Sequence, residues 1–110
     1  MTTQRESEIQ RAIVEALPKH PTVLAVIRIQ CGNVGVKGGR MQLAESGTPD
    51  LCVTLKRGRV LWIETKKQDG EPNPAQVAWH ELHAAHKHRI LVARDVMTVW
   101  KVVSEWRTNG

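Results

Sequence analysis

The sequence predicts an α/β domain whose elements follow in the order α-β-β-β-α-β-α. Three observations predict it. Apolar residues recur at helical spacing in three segments: near the start, after Pro74 and at the end. Short runs rich in Val, Ile and Leu lie between them and suit strands. Breaks such as "KRGR" and "KQDGEPNP" carry the turn chemistry that separates the runs.

Ser7, or Thr3 before it, caps a first helix that runs to about Leu17 and is stopped by Pro18. Ile9, Ile13, Val14 and Leu17 form its buried stripe. Glu6 falls on that face, whereas Glu8 points about a third of a turn away. Residues 22–32 are β-branched and long enough for a strand. Segment 32–47 holds five of the eight glycines and reads as a loop or flexible flap. Its Lys37 and Arg40 suit phosphate contacts, with an ordinary surface loop as the competing reading. A hairpin follows, with strands 50–55 and 60–66 about a turn at Gly58.

Asn73 and Pro74 then start a second helix, as cap and first residue. It is expected to bury Ala75, Ala78, Trp79, Leu82 and Ala85. Gln76, His80, His83 and Lys87 step by four, three and four, making a polar stripe opposite or beside the apolar one. "RILVARD" reads as a short strand, and the last helix buries Val96, Val99, Trp100 and Val103.

At 110 residues the chain fits a single domain, 1–110. The formal charge of +5 and pI near 9.7 favour a polyanionic partner. Two cysteines make neither a disulfide framework nor a four-ligand zinc site, and Cys31 and Cys52 read as small buried hydrophobes. "HELH" does not space its histidines as a zinc helix does. The polar N-terminus and the lack of a long apolar run predict a cytoplasmic protein with no membrane partner and reduced thiols.

The hairpin carries the chemistry. Glu64 and Lys66 are two apart and share a strand face, and counting from Gly58 puts Asp50 across from "ETK". Two close carboxylates repel unless a cation lies between them. A hard divalent ion suits such a pair, with water and phosphate filling its remaining positions. A surface salt bridge is the plainer reading of an isolated Asp–Lys pair.

"PD" followed by E-x-K across a hairpin resembles the PD-(D/E)XK nuclease superfamily. The context "GTPD", "GRVLWIETK" and "PAQVAWHELHAAH" resembles its VRR-NUC branch, and the likeness runs from Glu6 to about Trp100. The resemblance implies a restriction-endonuclease-like core, α-β-β-β-α-β, with a mixed central sheet flanked by helices, here with an added C-terminal helix. It implies metal ligands at Asp50 and Glu64, a catalytic lysine at Lys66, and further site residues at Gln76 and Glu6, with Glu8 as the alternative to Glu6. Thr65 stands where the family usually has Val and keeps the β-branch. The implied cofactor is Mg²⁺, with Mn²⁺ as a substitute.

The resulting expectation is a metal-dependent endonuclease of phage or bacterial type. It would cut branched or structured DNA, as Holliday junction resolvases do, and act as a homodimer. Lys37, Arg40, His80, His83 and Lys87 are the expected DNA contacts. A catalytically silent DNA-binding module of the same fold is the alternative.

Overall fold

Helix α1 (Glu6–Ala16) opens the computed structural model, which describes residues 4–106. Its N-cap is Arg5, without a side-chain hydrogen bond, so Ser7 lies inside the helix and not at its cap. Glu6 and Glu8 in the first turn offset the exposed N–H groups there. The other expected cap, Thr3, lies outside the described residues. Pro18 tightens the helix end into a 3-10 turn, Leu17–Lys19.

Strand β1 (Val23–Arg28) follows, shorter than its β-branched run. The glycine-rich segment then departs from expectation. It forms a hairpin of β2 (Asn33–Val36) and β3 (Gly39–Gln42), paired from Asn33↔Gln42 to Val36↔Gly39. Gly38, at φ 90°, takes the left-handed turn position that a Cβ would disfavour. The glycines therefore shape a turn between strands where a mobile loop was expected.

Strands β4 (Leu51–Leu55) and β5 (Arg59–Thr65) are joined by three residues, Lys56–Gly58, with Arg57 at φ 67°. The pairs Leu51↔Ile63 and Leu55↔Arg59 centre the turn on Arg57. Asp50 thus comes opposite Glu64, whereas the count about Gly58 puts it opposite Lys66. Helix α2 (Pro74–Ala85) connects β5 to β6 (Arg89–Ala93), and α3 (Val96–Glu105) closes the chain. The sheet order is β1-β4-β5-β6, antiparallel except for the parallel β5–β6 pair.

One sheet face builds the core. Leu51, Val53, Leu55, Leu61, Ile63 and Ala93 are buried there against Ile9 and Ile13 of α1, Leu17, and Val99 and Val103 of α3. Each buried Val, Leu or Ile side chain contributes roughly 1.5–3 kcal/mol, so this half fixes the scaffold. His20 is buried at its edge, bonded through Nε2 to Ser104 Oγ at 2.9 Å and accepting from Thr22 N–H at Nδ1.

The opposite face presents Trp62 and Glu64 to α2, and here the expected burial is inverted. Ala75, Ala78, Leu82 and Ala85 are exposed, with Leu82 at 60%, while Trp79 is half-buried beside the inward-facing Gln76, His80 and His83. A buried carboxylate needs polar partners, which only the other stripe can supply. The thiols also differ from expectation: Cys31 is exposed and Cys52 half-buried, both free. Among the described residues no helix is long and apolar enough to cross a membrane.

Candidate active site

The hairpin register brings Asp50 and Glu64 together, and backbone bonds hold them there. Asp50 Oδ2 accepts from the Thr65 N–H at 2.8 Å, while its own carbonyl accepts from Ile29 N–H at 2.8 Å. The carboxylate is therefore pinned beside Glu64 from two neighbouring strands. Lys66, just past the end of β5, donates its N–H to Ala93 O at 2.9 Å. Its Nζ reaches to 3.9 Å from Glu6 Oε1. Glu8 pairs instead with Arg5, at 3.9 Å on the exposed surface. Of Glu6 and Glu8, only Glu6 stands beside Lys66.

Gln76 arrives from α2 with its orientation already set. Asn73 Oδ1 accepts from Gln76 N–H, and Asn73 N–H donates to Gln76 Oε1, both at 2.9 Å. This reciprocal cap uses the amide oxygen and turns the amide NH₂ toward Glu64, whose Oε2 accepts at 3.1 Å. The other oxygen, Oε1, is buried and has no hydrogen-bond partner among the described residues. His80 Nε2 faces it at 3.5 Å and is likewise buried and unpartnered.

Glu64 is fully buried. Burial pushes its carboxyl up from 4.5 to about 8; the charge of Asp50 adds to this, and Lys66 opposes it. Burial, and then the charge of Lys66, hold His80 below the usual histidine value. A divalent cation fits this donor set. It would relieve the repulsion between Asp50 and Glu64 and give Oε1 the partner it lacks. No three His, Cys, Asp or Glu side chains stand at mutual ligand spacing among the described residues, so the chain offers an ion a partial set. One or two carboxylates with water and phosphate is how such ions are commonly held at phosphate-handling sites.

Sequence reasoning missed two supporting residues and read a third in another role. Gly47 is buried at φ 97°, and a Cβ there would meet the Ala75 carbonyl oxygen at 2.3 Å. The first turn of α2 thus rests on the segment leading into Asp50. Arg94 donates through Nη1 to the carbonyls of Lys67, Gln68 and Gly70, and Nη2 stands 3.5 Å from Glu71. It clips the loop that leaves Lys66. The third is His80, whose place on a polar stripe suggested an outward, DNA-facing role. The glycine in "GTPD" and the Asn73-x-x-Gln76 spacing were readable signals; nothing in the sequence marks Arg94.

The expected DNA contacts are spread apart. Lys37 and Arg40 are exposed on the β2–β3 hairpin, and Lys87 is exposed just past α2. The hairpin rises from the site: Cys31 bridges Ala44 at its base, and the charges of Asp50 and Glu64 help raise the Cys31 thiol pKa after burial. His83 is half-buried, stacked on Trp79 with ring centroids 3.4 Å apart.

No protein-family model matches the sequence, and no curated protein matches it. A solved structure described as a VRR_NUC domain does, with a TM-score of 0.63 and 26% sequence identity. The match covers 93% of this chain and 97% of that one.

Proposed function

We propose, from the likeness to a VRR_NUC domain and its nuclease-type fold, that the chain is a metal-dependent endonuclease of branched DNA. The observation that carries this reading is the buried Glu64 carboxylate, set opposite Asp50 and ringed by Lys66 and Gln76. Burying a carboxylate beside another is costly to a fold and useful to a cation site.

Asp50 and Glu64 would hold the ion, Mg²⁺ or Mn²⁺. When bound it supplies charge for the phosphodiester transition state and acidifies a water. The protein's part is positional. Gln76 fixes Glu64 by holding Oε2 and leaves Oε1 without a hydrogen-bond partner among the described residues. Lys66, nearly buried, presents an ammonium to the attacking water or to the phosphoryl oxygens, and Glu6 steadies it. Lys37 and Arg40 on the hairpin, with Lys87 beyond α2, suit a DNA backbone passing over the site. A domain this small covers part of a junction, and paired cuts need two sites, so the active form would be a homodimer.

Incubation with Mg²⁺ and labelled four-way junction, flap, duplex and single-stranded DNA tests the reading. Cleavage concentrated on the branched substrates, and lost in Asp50→Ala and Glu64→Ala, is the expected result. Full cleavage by either variant would overturn that residue's assignment. Binding without cutting by wild type would favour the silent module. Light scattering during chromatography reads the dimer directly.

A further inference from the structure

A second concentration of charge lies at the far end of the sheet from the carboxylates. The turn between β4 and β5 carries Lys56 and Arg57, Arg59 opens β5, and Trp106 follows the end of α3. Together with Thr22 and Ser104 they line a cavity of about 450 Å³. Arg89, at the start of β6, stands 4.6 Å from the centre of the Trp106 ring, and Arg59 stands 5.6 Å from it. No carboxylate lines the cavity, and among the described residues none of these four cations joins an ion pair. Like charges gathered without a counter-charge repel, so the arrangement suits an anion.

The cavity is also braced. Arg59 donates through Nε to Lys56 O at 3.0 Å and through Nη1 to Trp106 O at 2.6 Å, which fixes its guanidinium before any ligand arrives. The buried His20 bonds to Thr22 and Ser104, joining two sides of the lining. Arg57 holds a long side chain at φ 67°, a left-handed position that glycine fills more easily. An ordinary solvated cation needs none of these restraints. A fixed guanidinium fork flanked by further cations is matched to phosphate oxygens.

Asp50 and Lys56 flank the five residues of β4. Six steps of about 3.4 Å put the cavity roughly 20 Å from the carboxylates. One DNA strand carries a phosphate roughly every 3.4 Å, so phosphates held here lie about six nucleotides from the cut, or on another arm. We propose that Lys56, Arg57, Arg59 and Arg89 form a second phosphate-binding site that grips the DNA backbone away from the cut. The inference rests on the nuclease reading for its ligand and adds a remote anchor to it. Two anchors at opposite ends of one sheet fix the path of DNA over the domain, which a single site cannot do.

Ethylation interference on a labelled four-way junction, with Ca²⁺ to hold back cutting, maps the phosphates that binding requires. Wild type should show two separate sets, one at the cut and one about six or more nucleotides away or on another arm. Lys56→Ala combined with Arg57→Gly removes two exposed charges and relieves the backbone at Arg57, so the fold is spared. This variant should lose the distant set alone. Its slope of log affinity against log salt should fall by roughly two units, with junction affinity about tenfold or more lower near 0.1 M salt. A single set confined to the cut in wild type overturns the anchor, and that arm needs no substitution. An unchanged slope and pattern in the variant, with wild type still cutting, overturns it too and leaves the nuclease reading standing. Inorganic phosphate that shifts the Trp106 indole N–H signal, while the variant keeps the wild-type pattern, would assign the cavity to a free phosphate compound and overturn the DNA role. If wild type binds no DNA, both readings fall.

Discussion

Replacing Glu64 with Gln should make the metal-free protein more stable than wild type at mildly alkaline pH. A carboxyl raised from 4.5 to about 8 on folding is protonated in both states at low pH. As pH rises the unfolded chain gives up its proton first, so stability falls until pH passes the folded value. His80 works in the other direction, since a lowered pKa removes stability as pH falls through the ordinary value of 6.5. From pH 6.5 to 8 Glu64 is therefore the one of the two that changes stability. Roughly 1.5 pH units at about 1.4 kcal/mol each gives a loss of about 2 kcal/mol. For a domain of this size that is roughly 8–16 °C in melting temperature. Thermal melts in EDTA at steps from pH 6.5 to 8 should show wild type losing this amount while Glu64→Gln stays nearly flat. Mg²⁺ or Mn²⁺ should restore wild type, because the ion favours the ionised carboxylate. Parallel pH curves for the two proteins would refute the account of Glu64.

Lys66→Met should stop cleavage yet keep cation binding by calorimetry; loss of both would mean the amine chiefly shapes the site. Glu6→Gln should slow cleavage more than Glu8→Gln, since only Glu6 stands beside Lys66, and the reverse ranking in a cleavage assay would exclude Glu6 from the reaction. Gly47→Ala combines positive φ with a 2.3 Å approach to the Ala75 carbonyl and should cost more than about 1 kcal/mol in urea unfolding. An unchanged midpoint would show that the first turn of α2 yields freely. Alanine at Lys37, Arg40 or Lys87, assayed with Ca²⁺ to hold back cutting, should each lower the slope of log affinity against log salt by roughly one unit. Unchanged slopes would move the DNA footprint to other cations.

Much of the scaffold was legible because its signals are local. Periodic apolar residues gave α1 and α3, and Asn73-Pro74 gave the start of α2. Where the sequence misled, a tertiary demand had overridden a local rule. The hairpin was mis-centred because a symmetric count about Gly58 ignores Arg57, which itself takes positive φ. The β2–β3 hairpin was read as a loop because its glycines lower strand propensity while making the turn. Burial on α2 was inverted because Ala75, Ala78 and Leu82 suit a core, whereas the face opposite holds Glu64 and draws in Gln76 and His80. Proximity of Asp50, Glu64 and Lys66 was readable from motif and pairing. The inward face of Glu6 was readable from helical spacing, whereas the approach of His80 and Arg94 depends on how separate elements pack.

The reciprocal cap at Asn73 and Gln76 ties a folding event to a chemical one. One amide group both begins α2 and holds Glu64, so the first turn cannot fray without letting that carboxylate swing free. Exchange of the Gln76 amide hydrogen, which is bonded to Asn73 Oδ1, would then clock how often the carboxylate is released. A bound ion gripping Glu64 from the other side should slow that clock, making the helix start a reporter of occupancy that needs no DNA at all.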